Sequence, residues 1–255
     1  MTVIIYADFN CPYCYLPSQR ADVLMRRGRM DADWRAVEHD PGLPIAGRRI
    51  EADRPAWEAE LAELAGLARP GEDVPAAPPP VISNTTAAVA AYAEAVSDGV
   101  QHELRRRLFR AVWVEGRHVI SAHEVRDLVR EVMAPPDRIL SHLVSPDLPL
   151  QILHEPDPEV IMRRSGGTIS TAGDPLTTAG YRRIRRWRHE WLALPGQVIP
   201  AVIDPGGKLH PGTAGLEYLA SLVRTAHAKS PAPGRASAYA AAGDARSSPR
   251  PAWVS

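Results

Sequence analysis

Apolar residues fill Thr2-Val3-Ile4-Ile5-Tyr6-Ala7 up to Asp8, a short β-rich run that reads as a buried strand. From Ser18 to Arg29 the period changes: Ala21, Leu24 and Met25, with Leu16 further back, recur at helical spacing, and Gly28 marks the end. Alternation returns at Asp33-Trp34-Arg35-Ala36-Val37, a second strand. Strand, helix and strand make a βαβ unit.

The completion of that unit lies far along the chain. Gln197-Val198-Ile199-Pro200-Ala201-Val202-Ile203 is a β-rich run followed by the turn Asp204-Pro205-Gly206-Gly207. Leu209-His210 reads as a short edge strand, and Thr213 to Ala226 as a closing helix with Leu216, Leu219, Ala220 and Val223 on one face. Between the halves runs an insertion from about Asp40 to Gly173. Its helical patterns cover Thr85 to Ser97, Leu104 to Glu115, Ala122 to Met133 and Pro136 to Leu143. The Pro- and Ala-rich stretch from Pro70 to Pro80 reads as a surface connection or lid. The expected organisation is a discontinuous core of residues 1–40 and 174–228, a helical insertion over 41–173, and a disordered tail over 229–255.

Cys11-Pro12-Tyr13-Cys14 holds both cysteines of the chain, where the first strand gives way to the helix. A helix N-terminus has unpaired N–H groups and the positive end of the macrodipole, which favour a thiolate, the form that attacks disulfides. The spacing predicts Cys11 as the reactive thiol and Cys14, one turn on, as its resolving partner. A structural staple is a poor alternative, because closing so short a loop stabilises by roughly 2 kcal/mol, against about 3 kcal/mol for a fifteen-residue loop. A zinc site lacks its further ligands, since there is no second CxxC and no HxxxH pair among the nine histidines. Inert buried thiols are the remaining alternative.

Composition narrows the setting. With 45% hydrophobic residues in 255, the chain has enough apolar side chains for a real core. Its 30 basic and 30 acidic residues cancel, so no overall field draws in nucleic acid or an anionic membrane. The arginine-rich run Tyr181–Trp191 is a local exception. Tyr181, Ile184, Trp187 and Trp191 share one helical face, so it reads as a solvated helix beside the core, with an anionic substrate or thiol cofactor as an alternative use for its arginines. The first apolar run has no basic residue before it and no cleavage site after it, and no stretch nears the roughly eighteen to twenty apolar residues of a membrane span. The expectation is a cytoplasmic protein, where disulfides are usually transient and catalytic. Only Lys208 and Lys229 among the basic residues are lysine, and alanine is abundant, which points to a high-GC bacterial source.

Several stretches, taken in order, resemble the DsbA family and in particular its cytosolic FrnE-like branch. Asp8-Phe9-Asn10-Cys11-Pro12-Tyr13-Cys14-Tyr15 is similar to that branch's Asp-x-x-Cys-Pro-aromatic-Cys signature. Asn84-Thr85, Ala88, Gly99, Arg107-Leu108-Phe109-Arg110-Ala111 and Glu115-Gly116-Arg117 resemble its helical pattern, and Ile199-Pro200-Ala201-Val202-Ile203-Asp204 its cis-proline strand. The resemblance spans most of residues 2 to 226 and is weaker over Pro41–Ile82 and Ser145–Arg182. It implies an α/β fold, a thioredoxin-like core with an inserted all-helical domain. It also implies that Pro12, Tyr13, Ile199 and a cis Pro200 form the surface on which a disulfide or dithiol substrate, protein or small molecule, docks. Leu16-Pro17 and Val198-Ile199 depart from the family's usual residues at that surface. Cys-Pro-Tyr-Cys also equals the glutaredoxin motif, which implies no bound cofactor but a low-molecular-weight thiol, glutathione or mycothiol, as co-substrate. Kappa-class glutathione transferases share the architecture yet commonly carry serine at the position of Cys11, so two cysteines favour redox chemistry.

Glu38 and His39 follow the second strand and are candidates to relay a proton to Cys14 or simply to end the strand; Asn84 is a candidate substrate contact or helix cap. Three functions follow: a thiol–disulfide oxidoreductase, a thiol-dependent reductase or isomerase of small-molecule metabolism, and a redox-sensing or partner-binding protein that turns nothing over.

Overall fold

Residues 1–119, 122–133 and 178–228 are described by the computed structural model. Thr2–Ala7 forms strand β1, and Val3, Ile5, Tyr6 and Ala7 are all buried because helices cover both sides of a central strand. Helix α1, Tyr15–Arg26, leads to β2, Asp31–Ala36, which pairs parallel with β1. On the other side of β1 the late strand β5, Ala201–Ile203, runs antiparallel, and β6, Leu209–Pro211, closes the edge in the order β2-β1-β5-β6. Ile5 thereby faces Trp34 on one side and Val202 on the other.

Among the described residues between β2 and β5, the regular structure is helical apart from a small ladder, β3 (Arg48–Arg49) against β4 (Val81–Ile82). Its helices are α2 (Arg54–Leu67), α3 (Thr86–Asp98), α4 (Gln101–Trp113), α5 (Ala122–Met133) and α6 (Thr178–Leu192). The last helix among the described residues, α7 (Thr213–Ala228), packs on α1, while α3 packs on α4, α5 and α6. Small side chains let α3 lie at the centre of this group: Ala87, Ala88, Ala90, Ala91, Ala93 and Ala95 are buried. An aromatic cluster joins the sheet to these helices, with Phe9 5.2 Å from Phe109 and 5.9 Å from Tyr92, and Trp34 edge-on to Phe109 at 5.8 Å.

Two arginines are buried within this frame. Arg105 pairs with Asp22 and lies 4.9 Å over the Trp34 ring. Arg20 gives Nε and Nη2 to the two oxygens of Glu72, both at 2.7 Å, Nη1 to the Leu216 carbonyl at 2.8 Å and Nη2 to the Leu67 carbonyl at 2.9 Å. Gln19 and Asp73 exchange two further hydrogen bonds, each 2.8 Å, between the Gln19 amide and the Asp73 backbone. The stretch Pro70–Pro80, expected as a surface connection or lid, is part of a strap over 68–80 fastened to α1 at Glu72 and Asp73.

Gly215 explains how closely α7 approaches the sheet. A Cβ there would lie 2.8 Å from both the His210 carbonyl and the Val202 side chain. The expected helix over Pro136–Leu143, the junction near Gly173 and the tail over 229–255 lie outside the described residues.

Candidate active site

Beyond β1 the chain turns through Asp8-Phe9-Asn10 and delivers Cys11 as the cap of a one-turn 3-10 helix, Pro12–Cys14. Pro12 suits the first position of that turn because the N–H it lacks has no intrahelical partner there. The Cys14 N–H donates to the Cys11 carbonyl at 3.0 Å, and α1 begins at the next residue. Both cysteines are free thiols, and they differ in access: Cys11 is 8% exposed and Cys14 0%. Burial pushes the Cys14 thiol well above the ordinary range, and Cys11 adds to this by a hydrogen bond and by its charge. A backbone hydrogen bond from Asp8 offsets part of it. Tyr13 is half-buried, and its phenol is pushed up to about 12 by burial and by the charge and hydrogen bond of Glu63 on α2.

The three residues before Cys11 are each held by the helical segment. Asp8 has a carboxylate with 0% exposure. Its Oδ1 accepts from the Thr85 hydroxyl at 2.6 Å, and its Oδ2 accepts the His39 backbone N–H and contacts His39 Nδ1, both at 2.9 Å. Burial opposes protonation of His39, yet the hydrogen bond and charge of Asp8, with Asp40 and Glu60 behind it, raise its pKa overall. The Phe9 carbonyl accepts from Trp113 Nε1 at 2.9 Å, and Asn10 Nδ2 donates to the Ser83 carbonyl at 3.1 Å.

The Ile199–Pro200 peptide is cis. Register places Ala201 opposite Tyr6, so Pro200 lies level with Ala7, at the end of the sheet where the dithiol loop leaves β1. Pro200 is buried, Ile199 half-buried and Val198 exposed. Cys11, Pro12, Tyr13 and Cys14 thus share one turn, with Ile199 and Pro200 at the same sheet end.

Other candidates serve the frame. Asn84, one residue before the α3 N-cap Thr85, accepts the Thr86 N–H through Oδ1 at 3.0 Å and donates Nδ2 to the Leu43 carbonyl at 2.8 Å, so it ties the start of α3 to the loop at Leu43. Glu38 accepts the Thr86 hydroxyl at 2.7 Å. His39 meets Asp8 rather than a sulfur. In α6, Trp187 and Trp191 are buried as the periodicity predicts, and Glu190 accepts from Arg35 at 2.6 Å. Sequence reasoning missed Thr85, Ser83 and Trp113 as supports of the loop, and it quoted Asp8 only within a signature. Among the described residues, no three His, Cys, Asp or Glu side chains cluster as metal ligands would, and no helix is long and apolar enough to cross a membrane.

A probable DsbA oxidoreductase from Streptomyces coelicolor superposes with a TM-score of 0.58 at 16% identity, covering 98% of this chain and 99% of that one. A 2-hydroxychromene-2-carboxylate isomerase has a TM-score of 0.49 at 17% identity, covering 90% of this chain and 100% of its own. The cytosolic disulfide reductase DsbM from Pseudomonas aeruginosa, in a structure with glutathione, has a TM-score of 0.47 at 15% identity, covering 90% and 98%. No curated protein matches in sequence. The profile of the DSBA-like thioredoxin domain matches residues 2–148, more than half of the chain, and together with the thioredoxin-like sheet and its dithiol turn it makes this protein a member of the DsbA family.

Proposed function

We propose that this protein is a thiol–disulfide oxidoreductase working through Cys11 and Cys14. The Cys11 thiolate attacks one sulfur of a substrate disulfide. A Cys11–substrate bond forms as the substrate's own S–S bond breaks, and the departing sulfur takes a proton. Cys14 then gives up its proton and attacks Cys11 Sγ, which forms the Cys11–Cys14 disulfide and releases the second substrate thiol. The substrate gains two electrons and the dithiol loses two; the reverse sequence oxidises a dithiol.

The observation that carries this reading is the asymmetry of the two thiols. Cys11, at the cap of the turn, keeps 8% exposure, while Cys14 behind it keeps none and is pushed toward the protonated form, suited to wait until a mixed disulfide comes within reach. Pro12, Tyr13, Ile199 and Pro200 are the substrate-contacting residues in this proposal. It further includes membership of the FrnE-like branch, a bacterial source, a cytosolic location, and a core of residues 1–40 and 174–228 around the insertion 41–173. Glutathione or mycothiol is the co-substrate that returns the dithiol to its starting state; no nucleic acid or membrane takes part. A thiol-dependent reductase or isomerase of small molecules is the second reading, favoured by a cavity whose wall includes Tyr15, next to Cys14.

The test is mixed-disulfide trapping. With Cys14→Ser, Cys11 should accumulate covalent adducts from bacterial extract that mass spectrometry identifies as proteins or small thiols. Adducts that are small thiols alone favour the second reading. A Cys11 that forms no adduct under oxidising conditions overturns both, and a wild-type dithiol that oxidises but never turns over a disulfide marks a sensor instead.

A further inference from the structure

Carboxylates gather around the dithiol. Helix α2 packs on the Pro12–Cys14 turn. Leu61 and Leu64 are its buried residues, and Glu60 and Glu63, three positions apart, share the face that borders them. Glu63 meets the Tyr13 phenol by a hydrogen bond, and the charges of Glu63, Glu60 and Cys11 all act on that ring. Asp8 adds its charge at Cys14, and Asp40 joins Glu60 beside His39. Of the four residues Cys11 to Cys14 only Tyr13 is not buried, so an approaching molecule meets Tyr13 with Glu63 behind it.

These two glutamates differ from carboxylates elsewhere in the chain, which arginine balances: Arg20 meets Glu72, Arg35 meets Glu190, and Arg107 and Arg110 meet Glu115. Among the described residues neither Glu60 nor Glu63 has an arginine partner. Arg54 and Arg69, at the two ends of α2, are engaged by Glu58 and Glu217. The cation that Glu60 does meet is His39, whose Nδ1 is already held 2.9 Å from the Asp8 carboxylate. Burial and the charge of Glu63 raise the Glu60 pKa against the opposing pull of His39, as expected of like charges left side by side. At the same end of the sheet Val198, Ile199 and Pro200 are uncharged. The chain as a whole is neutral, so this negative rim is a local feature. A reaction centre rimmed by one sign of charge draws in the opposite sign and repels its own, an effect of about tenfold to a thousandfold on encounter rates that salt removes.

Resting on the redox reading above, we propose that Glu60 and Glu63 set the charge specificity of the dithiol. Its preferred substrates are disulfides with a cationic group close to the sulfur, either an aminothiol disulfide or a cystine bridge flanked by lysine or arginine, and disulfides flanked by carboxylates are disfavoured. Glutathione, a net anion, is slowed by the same rim without being barred as co-substrate.

The test compares disulfides of similar length and different charge: cystamine, bis(2-hydroxyethyl) disulfide and 3,3′-dithiodipropionate. Each probe takes two electrons from the reduced dithiol; the Cys11–Cys14 bond forms, the probe's S–S bond breaks, and the two dithiol protons leave on the two thiols released. Samples of the full chain quenched by alkylation and weighed by mass spectrometry give the rates, and division by the rate of 2-mercaptoethanol with the same probe removes intrinsic reactivity. The normalised rates should fall from cystamine through the neutral probe to dithiodipropionate, spanning about tenfold or more at low ionic strength. About 0.5 M salt should shrink the span severalfold. Glu60→Gln/Glu63→Gln should bring it to within about twofold, whereas Glu217→Gln, on α7, should leave it as in the wild type. A lysine-flanked peptide disulfide that outpaces cystamine assigns the cationic substrate to a polypeptide, and the reverse order assigns it to a small aminothiol; both orders support the proposal. Equal normalised rates for the differently charged probes, or a span unmoved by salt and by the double substitution, overturns this inference and leaves the redox reading standing. A protein that reacts with none of the probes overturns both.

Discussion

Arg20 and Arg69 both link the strap to α7, and they should differ several-fold in what their removal costs. Arg20 is 1% exposed and makes four hydrogen bonds, two to Glu72 and two to the carbonyls of Leu67 and Leu216. Arg20→Met keeps much of the apolar stem but strands the Glu72 carboxylate, itself only 13% exposed, with the Arg69 backbone N–H as its remaining donor. Removing one member of a buried ion pair typically costs about 3–5 kcal/mol. Access of water to Glu72 puts the expectation at the lower end, about 3 kcal/mol. Arg69 meets Glu217 at 3.1 Å with the side chains 43% and 53% exposed, where a pair contributes about 0.2–1 kcal/mol. Urea unfolding of Arg20→Met and Arg69→Met, read as midpoint shifts at common slope, measures both. Adding Glu72→Leu to Arg20→Met should recover part of the loss, because two apolar partners leave no stranded charge. Two single variants within about 1 kcal/mol of one another would refute the reasoning, since burial would then not decide the outcome.

Three further outcomes are expected. Burial, and then the charges of Arg105 and Arg106, lower the His102 pKa to about 4, so the folded state favours the neutral ring. Its stabilising contribution is complete above the unfolded value of about 6.5 and is lost as pH falls through about 4; melting temperatures of the wild type should drop more steeply over that window than those of His102→Gln, and parallel curves would exclude the effect. In the native state, iodoacetamide should modify Cys11 of Cys14→Ser at least about tenfold faster at pH 8 than Cys14 of Cys11→Ser, and equal rates would remove the asymmetry on which their roles rest. Gly215→Ala should lower the melting temperature. The gain of about 1 kcal/mol in helix preference is set against overpacking of about 1–3 kcal/mol, and part of the obstruction is the His210 backbone, which cannot swing aside.

The outline of the core was legible because its signals are local. The apolar run at Thr2–Ala7, the CxxC, and the faces of α6 and α7 each lie within a few turns of chain. Boundaries were less so. The first helix was expected from Ser18; it begins at Tyr15 and accommodates Pro17, because a proline in the first turn forfeits no intrahelical hydrogen bond. The run 197–203 shrinks to Ala201–Ile203, since Pro195–Gln197 forms a turn with Gly196 at φ 75° and Gln197 at φ 48°. Helix α2 was not anticipated, as only Leu61 and Leu64 of its residues are buried and most of the rest is alanine and glutamate. Least legible were the buried charges. Arg20 and Arg105 sit in polar stretches that look solvated, and what buries them, Glu72 and Asp22, stands 52 and 83 residues away. The dithiol itself needed only four letters, but the supports of its loop are contributed by residues whose relevance no spacing rule encodes.

Asp8, Phe9 and Asn10 are consecutive, yet their partners Thr85, Trp113 and Ser83 come from the start of α3, the end of α4 and the linker after β4. The two parts of the molecule are consequently not interchangeable modules. Excising the helices to obtain a minimal thioredoxin would expose three unmet polar demands beside the nucleophile, and a chimera carrying another relative's helices would inherit donors aimed at the wrong atoms. Residues 8–10 must travel with the helical segment in any transplant.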